Sequence, residues 1–134
     1  MRKDWNLIWM DLAHSIAQRS TDEKHQVGCV IISGDNQRVL AIGYNGDHKG
    51  GSNTRISQEH GKSGFIHAET NALIKLNTGE VCEKIMFLTL SPCYSCAQLI
   101  INAGINKVYY TTQYSDLEAI KLLKTFNIEI EQIR

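Results

Sequence analysis

The chain has 134 residues, 43% of them hydrophobic, and its 14 Lys and Arg are balanced by 14 Asp and Glu. This length suits a single domain, residues 1–134, and the zero net charge provides no general attraction to nucleic acid or to an anionic membrane. No apolar run reaches the roughly 20 residues that span a bilayer, and no signal-peptide core follows residues 1–5. We therefore expect a cytoplasmic protein, or one in the host cytoplasm if viral, whose four cysteines indicate a metal or chemistry before disulfides.

The first 64 residues predict a helix, a β-hairpin and a long loop. Residues 4–19 place apolar side chains at spacings of three and four, which predicts an amphipathic helix. One face of this helix carries Trp5, Ile8, Trp9, Leu12 and Ile16, and the two tryptophans are expected to serve core packing or a subunit contact. A β-branched run at 27–33, a turn at 34–37 and a second strand at 38–44 form the hairpin. Residues 45–64 hold five of the ten glycines, which is typical of a functional or mobile loop.

From residue 67 onward, helices and strands alternate. Because the connections are long enough for right-handed crossovers, the last three strands should be parallel neighbours. The fold class is therefore α/β: a three-layer α/β/α arrangement in which helices cover both faces of a mixed five-stranded sheet, built from the hairpin and a βαβαβ unit. The predicted elements are helices at 67–77, 94–103 and 116–125 and strands at 84–90, 107–111 and 128–133, with Gly104 ending the second helix.

Two short motifs at predicted helix starts carry the chemistry. The first is HAE at 67–69, and the second is PCYSC at 92–96. A helix N-terminus lowers the pKa of a thiol, and the CxxC spacing lets Cys93 and Cys96 reach one ion together with His67. Structural zinc normally takes four protein ligands, whereas catalytic zinc keeps one position open for water. One His, two Cys and a Glu that is not needed as a ligand therefore predict a zinc site that activates water.

Glu69 is the predicted proton carrier. It lies two residues from a ligand, so it can accept a proton from the activated water and return it to the substrate and the leaving group. The implied reaction is hydrolytic attack on an electrophilic carbon that bears an amine. HAE followed by PCxxC at a strand-to-helix junction is the known signature of zinc nucleobase deaminases. Cys29, in a strand, and Cys82, in a turn, are expected to be small buried or incidental residues.

With these motifs the chain resembles the cytidine and deoxycytidylate deaminase superfamily, and the similarity covers most of its length. GYNG at 43–46 and HAETNA at 67–72 resemble the branch that acts on deoxycytidylate (dCMP). The resemblance implies a cytidine deaminase-like fold and deamination of dCMP to dUMP with release of ammonia, a step that supplies the dTTP precursor in pyrimidine nucleotide metabolism. The other matching segments are Arg19-Ser20, VGCVI at 27–31, LSPCYSCA at 90–97 and Tyr114-Ser115-Asp116.

The resemblance also implies a role for each candidate site residue. His67, Cys93 and Cys96 would hold zinc, and Glu69 would shuttle protons. Asn45 would bind the sugar. The other substrate-binding candidates are the main chain around Ala68 and Ser91 facing the base, Ser20 and Lys24 at the phosphate, and Tyr114 as a wall of the pocket.

Partners and regulation follow from the same resemblance. Family members commonly form homohexamers that dCTP activates and dTTP inhibits, which implies an oligomer, nucleotide effectors and Mg²⁺ accompanying an effector. The loop after GYNG is where relatives bind effectors, and there Asp47-His48 stands in place of the family's frequent Pro. Two loop histidines, His48 and His60, have no nearby Cys pair and do not predict a second zinc. His25 is expected to have an ordinary surface role rather than to bind phosphate.

The same residues are compatible with three other functions. A tRNA adenosine deaminase, or another enzyme that edits RNA or DNA, would use the zinc site on a flipped base. The balanced charge and the acidic C-terminus at 126–131 disfavour it. Deaminases of guanine, free cytosine or a riboflavin precursor would leave the Arg19-Ser20 and GYNG segments without a role. A non-catalytic zinc scaffold would need Glu69 as a fourth ligand or idle.

Overall fold

The computed structural model describes residues 1–59, 61–114 and 116–133, which form four helices and five strands in the predicted order. The helices are α1 (Trp5–Ala17), α2 (Ala68–Leu73), α3 (Tyr94–Asn102) and α4 (Leu117–Thr125). The strands are β1 (Gly28–Ser33), β2 (Val39–Tyr44), β3 (Lys84–Leu90), β4 (Lys107–Thr112) and β5 (Glu129–Gln132). Within the described residues, no helix has the length and apolar character needed to cross a membrane.

The five strands form one mixed sheet in the order β2-β1-β3-β4-β5. β1 is antiparallel to both β2 and β3, whereas β4 is parallel to both β3 and β5. The predicted hairpin and βαβαβ unit are thus confirmed. Because β3 and β4 run in the same direction, the segments that leave their carboxyl ends start from the same edge of the sheet.

Each face of the sheet is covered by its own helices. Side chains alternate along β1, so that Val30 and Ile32 pack on the side of α1, whereas Cys29 and Ile31 join the core formed with α2, α3 and α4. This double coverage leaves every residue of β1 buried. The three-layer α/β/α arrangement predicted from the sequence is confirmed.

The chain itself buries only part of the apolar face of α1. Trp5 and Ile8 are 48% and 37% exposed. The helix lies close to β1 at Gly28, where a Cβ would be only 1.9 Å from the carbonyl oxygen of Ala13. A close approach favours small side chains at the contact, so larger apolar residues flank it. The buried residues of α1 are Met10, Ala13 and Ala17, and Trp9, Leu12 and Ile16 are partly buried around them.

Packing of α2 against β2 positions the first of the two motifs. Gly43 allows this packing, since a Cβ there would lie 2.4 Å from the carbonyl oxygen of Ala68. The side-chain amide of Asn71 donates to the carbonyl oxygen of Tyr44 over 2.9 Å and ties the helix to the end of the strand. After the last residue of α2, backbone N–H groups donate to the carbonyl oxygens three residues earlier in the chain. The α-helix therefore ends before residue 77, where the sequence predicted its end.

Candidate active site

Three potential metal ligands meet where α2 and α3 begin. His67 is the N-cap residue of α2, Cys93 is the N-cap residue of α3, and Cys96 lies in the first turn of α3. Nδ1 of His67 lies 3.4 Å from Sγ of Cys93 and 3.3 Å from Sγ of Cys96. The three donor atoms lie within 4.8 Å of one another. The two motifs that the sequence assigned to one ion are therefore brought together.

The spacing of these donors fits a tetrahedral zinc ion. With a Zn–S distance of about 2.3 Å and a Zn–N distance of about 2.0 Å, tetrahedral angles place nitrogen and sulfur about 3.5 Å apart. The observed separations of 3.4 and 3.3 Å are close to this value. The geometry selects Nδ1 of His67 as the ligand atom, which leaves Nε2 to carry the imidazole proton. Both sulfurs are free of disulfide bonds.

The cluster is arranged to hold thiolate charge. A hydrogen bond from Cys96 lowers the pKa of Cys93 to about 4, and the neighbouring His67 acts in the same direction against the effect of burial. The same hydrogen bond, together with burial, raises the pKa of Cys96. Cys93 is therefore the more readily deprotonated sulfur, and binding of a cation by both sulfurs requires Cys96 to lose its proton.

Glu69 is a buried carboxyl group beside the donor cluster and is not one of its members. It is the second residue of α2, it is only 4% exposed, and it lines the cavity next to the cluster. Burial raises the pKa of Glu69 to about 7, and its own backbone N–H and His67 only partly offset that rise. A carboxyl group with a pKa near neutrality can both take up and release a proton, which is the property a general acid/base needs.

One cavity connects two of the metal ligands, His67 and Cys93, with four of the predicted substrate-binding residues. Asn45, Ala68, Ser91 and Tyr114 line it together with Glu69. The remaining lining residues come from the segment before β1, from the segment between β2 and α2, and from the junction between β3 and α3. They are Asp22, His25, Val27, Arg55, Gly61, Ser63, Phe65, His67, Leu90 and Cys93.

The side-chain amide of Asn45 is held in one orientation by the fold. Its Oδ1 accepts a hydrogen bond from the backbone nitrogen of Val27 at 2.8 Å, and its Nδ2 donates to the carbonyl oxygen of His25 at 2.7 Å and to Oδ2 of Asp22 at 3.3 Å. Both amide hydrogens are thus used, while Oδ1 keeps one lone pair. A ligand hydroxyl can therefore reach Asn45 only by donating to Oδ1.

Ser91 and Tyr114 form the part of the cavity wall that follows β3 and β4. The backbone nitrogen of Ser91 donates to the carbonyl oxygen of Thr112 at 2.8 Å, and Oγ of Ser91 accepts from the backbone nitrogen of Tyr114 at 2.6 Å. These bonds fix the tyrosine segment against the start of the second motif. Because the backbone nitrogen of Ser91 is already bonded, its carbonyl oxygen is the main-chain group that can accept a hydrogen bond from a ligand.

The two predicted phosphate contacts do not line this cavity. Oγ of Ser20 donates to the carbonyl oxygen of Asn45 at 2.8 Å and accepts from the backbone nitrogen of Asp22 at 3.2 Å, so it stabilises the turn before β1. Nζ of Lys24 donates to the carbonyl oxygen of Gln58 at 2.7 Å. Both side chains hold neighbouring segments together, and the structure does not bring them to the metal ligands.

Arg55 is a charged cavity residue that the sequence analysis missed. Its side chain is only 6% exposed, and Nη1 lies 2.6 Å from Oδ1 and 2.6 Å from Oδ2 of Asp22. His25 is exposed, as expected, and it also lines the cavity. The length and glycine content of residues 45–64 were the only sequence signal for a functional residue in that loop.

Of the other residues singled out by the sequence, His48, Cys29 and Cys82 are described and do not belong to the donor set. Nδ1 of His48 forms a 2.8 Å hydrogen bond with the carbonyl oxygen of Lys49. His60 lies outside the described residues, as does Ser115 of the tyrosine segment. Cys29 is fully buried in β1, in agreement with the prediction, and Cys82 is a half-buried free thiol.

A donor set of one His and two Cys, with a buried Glu on the same cavity and a mixed sheet between helical layers, defines the zinc nucleobase deaminase class. The cytidine and deoxycytidylate deaminase zinc-binding region matches residues 3–112. The chain belongs to that family, as its motifs predicted.

Curated relatives of this chain are deoxycytidylate deaminases. The Mus musculus protein is 36% identical in an alignment 124 positions long that covers 86% of this chain and 69% of the mouse protein. The Schizosaccharomyces pombe protein is 31% identical in an alignment 145 positions long that covers 98% of this chain and 44% of the yeast protein. The chain thus spans less than half of the length of one relative and about two thirds of the other.

A solved structure extends the similarity to the whole described fold. The dCMP deaminase from cyanophage S-TIM5, crystallised in complex with dCMP and dUMP, superposes with a TM-score of 0.86 at 29% sequence identity. The alignment covers 99% of each chain. The cytidine deaminase-like fold expected from the motifs is therefore confirmed.

Proposed function

We propose that this protein is a zinc-dependent hydrolase that converts dCMP to dUMP with release of ammonia, within the single domain formed by residues 1–134. The observation that carries the proposal is the zinc-type donor set of His67, Cys93 and Cys96, two of whose members, His67 and Cys93, line one cavity with the buried carboxyl group of Glu69. The relatives support dCMP as the substrate. The mouse and fission yeast proteins are deoxycytidylate deaminases, and the cyanophage enzyme was crystallised with dCMP and dUMP.

Glu69 carries the protons of the reaction. When bound, zinc supplies Lewis-acid chemistry that makes water nucleophilic near neutral pH. Glu69 takes a proton from the water that attacks C4 of the cytosine ring and transfers it to the ring nitrogen N3. It then moves the second water proton to the amine at C4, so that the C–N bond breaks and ammonia leaves. Water and dCMP are consumed, and dUMP and ammonia are formed, with Glu69 returned to its initial state.

The other cavity residues orient the nucleotide. Oδ1 of Asn45 accepts a hydrogen bond from the sugar hydroxyl, since its amide hydrogens are already used within the fold. The main chain around Ala68 and Ser91 faces the base. Tyr114 stands at the cavity wall beside it. Together these contacts hold C4 near the metal ligands and near Glu69.

The alternatives fit the molecule less well. A scaffold role would leave unexplained why a carboxyl group with a raised pKa lines the cavity outside the donor set. A nucleic-acid editing role would require a surface that attracts phosphates, whereas the chain has zero net charge and its last strand carries Glu129 and Glu131.

A substrate panel tests the proposal directly. Zinc-loaded protein is incubated with dCMP, dCTP, 5-methyl-dCMP, deoxycytidine, cytosine and an adenosine-containing RNA stem-loop, and ammonia and the deaminated products are measured. We expect dUMP and ammonia in equal amounts, and the largest kcat/KM for dCMP. Turnover of another base in the panel without turnover of dCMP would overturn the proposal.

Assembly, regulation and location are a further part of the proposal, supported by the family resemblance. We propose a homohexamer whose activity dCTP raises and dTTP lowers, with Mg²⁺ accompanying the effector, in the cytoplasm. The four free cysteines are consistent with a reducing compartment. Light scattering of the purified protein and dCMP assays with and without each effector test these points, and a monomer indifferent to both nucleotides would contradict them.

A further inference from the structure

Arg55 is a cation enclosed in the wall of the cavity that holds Glu69. Its side chain is 6% exposed, Nη1 is bonded to Asp22, and Nε donates to the carbonyl oxygen of Ser57 at 3.1 Å. Enclosing a guanidinium group removes much of its hydration and is costly unless the charge is compensated. Because Arg55 is held on two sides, its plane is fixed relative to the cavity.

Asp22 has no capacity left for a ligand. Oδ1 accepts hydrogen bonds from the backbone nitrogen of Lys24 at 2.9 Å and from Nη1 of Arg55, and Oδ2 accepts from Nδ2 of Asn45 and from the same Nη1. A carboxylate has about four acceptor sites, and these four bonds use them. Asp22 therefore acts on its neighbours: it joins Arg55 to Asn45, the residue assigned to the sugar.

One edge of the guanidinium group remains available. Nη2 of Arg55 makes no hydrogen bond to any residue within 1–59, 61–114 and 116–133, and the same ranges contain no buried side-chain nitrogen or oxygen without a partner. Nη2 is therefore reached by solvent, and it carries two N–H donors. Two donors on a fixed, always charged plane suit the oxygens of a phosphate monoester.

We propose that Arg55 binds the 5′-phosphate of the nucleotide and that Asp22 is its positioning residue. This inference rests on the proposed function and replaces Ser20 and Lys24 as the phosphate contacts. The chain of contacts from Asn45 through Asp22 to Arg55 places a phosphate donor next to the sugar residue within one cavity. Binding through Arg55 would distinguish the nucleotide from the nucleoside.

The test compares dCMP with deoxycytidine on the same protein. The principal variant is Asp22→Asn/Arg55→Gln, because removing Arg55 alone would leave a buried carboxylate unpaired. We expect the ratio of kcat/KM for dCMP to kcat/KM for deoxycytidine to fall about 10- to 100-fold, because the variant loses hydrogen bonds from a charged donor to the phosphate. Most of the change should come from a higher KM for dCMP. Inorganic phosphate should inhibit deoxycytidine turnover competitively, and this inhibition should be weaker by a similar factor in the double variant.

Two controls separate phosphate binding from a structural role. Arg38→Gln removes an exposed arginine that is bonded to Glu80 outside the cavity, and its substrate ratio should equal that of the wild type. Lys24→Gln tests the earlier candidate and should also leave the ratio within about twofold, because a screened surface charge contributes little. A ratio unchanged in the double variant, or lowered equally by Lys24→Gln, would overturn the inference.

A second measurement does not depend on the variants folding. In a crystal of the wild-type protein with dUMP, phosphate oxygens should lie within about 3.5 Å of Arg55. A phosphate bound only by other residues would overturn the inference while leaving the deaminase function intact. Absence of dCMP turnover in the wild type would instead overturn the proposed function.

Discussion

The hydroxyl of Thr70 lies 3.5 Å from Sγ of Cys96, so α2 contacts the donor set at a second point besides His67. The contact favours the charged form of Cys96, since a hydrogen bond from Thr70 acts to lower the pKa of this thiol against the stronger influence of Cys93. Partners of metal ligands stabilise both their charge and their orientation. Thr70 therefore stabilises the zinc-bound form of the protein.

Replacing Thr70 by Val should weaken zinc binding about tenfold, because Val keeps the shape and removes the hydroxyl. The measurement is competition with a chromophoric chelator at pH 7. Thr78→Val is the matched control, since Thr78 is exposed in the turn after α2. Equal affinities of the Thr70→Val and Thr78→Val proteins would show that the contact has no influence on the metal.

Glu69→Gln should retain zinc and lose most activity. The carboxyl group lines the cavity but does not belong to the donor set, so its replacement by an amide of the same size leaves the three ligands in place. Loss of a general acid/base lowers kcat about 10²- to 10⁴-fold. Zinc content by atomic absorption and steady-state kinetics with dCMP are measured on the same preparation. Full activity in this variant would remove Glu69 from the mechanism, and loss of zinc would make it a ligand.

The metal site could be predicted from the sequence because each ligand belongs to a short motif at a helix start. HAE and PCxxC fix local geometry. Because β2 and β3 are both antiparallel to β1, they run in the same direction, and the helices that follow them begin near the same edge of the sheet. The order of the nine helices and strands could be predicted as well, because hydrophobic periodicity and turn residues are local properties of the chain.

The role proposed for Arg55 could not be predicted in this way. Arg55 lies in a loop without periodicity, and its position depends on an ion pair with Asp22, 33 residues earlier in the chain. The sequence did not show that Ser20 and Lys24 lie outside the lining of the cavity, because this depends on their hydrogen bonds to Asn45 and Gln58. Nor did it show which part of the apolar face of α1 is buried, since apolar spacing alone does not reveal where a glycine permits close approach.

Asn45→Ala should destabilise the protein as well as weaken substrate binding. The substitution would remove the hydrogen bonds that this side chain makes to the backbone N–H of Val27, to the carbonyl oxygen of His25 and to Asp22. A hydrogen bond contributes about 0.5–1.5 kcal/mol, so we expect the free energy of unfolding to fall by about 2–4 kcal/mol. Urea denaturation measures it. Asn102→Ala, on the exposed side of α3, should change stability by less than about 0.5 kcal/mol and serves as the control.

The ion pair of Asp22 should make stability depend on pH in the acidic range. Burial acts to raise the pKa of Asp22, but the N–H of Lys24 and the guanidinium group of Arg55 outweigh it and hold the pKa below the ordinary value of 3.8. A lowered pKa in the folded state contributes stability that is fully present above the ordinary pKa and is lost as the pH falls through the folded value.

The stability advantage of the wild type over Asp22→Asn should therefore be constant between about pH 5 and pH 6 and shrink below about pH 4. Urea unfolding at a series of pH values measures both proteins. Asp11→Asn provides the comparison, because Asp11 forms an exposed ion pair with Lys3. An advantage of Asp22 that persists unchanged at the lowest pH would contradict the assigned pKa direction.

Gly43→Ala should disturb the metal site through the fold alone. A Cβ at this position would lie 2.4 Å from the carbonyl oxygen of Ala68 and 2.5 Å from the backbone nitrogen of Ala72, so α2 must move away from β2 and carry His67 with it. Overpacking of this kind costs about 1–3 kcal/mol. We expect a lower midpoint of urea unfolding together with weaker zinc binding. At Gly46 the nearest atom to a Cβ would be 3.9 Å away, so Gly46→Ala is the matched control. If both variants bind zinc as tightly as the wild type, the position of α2 does not depend on its contact with Gly43.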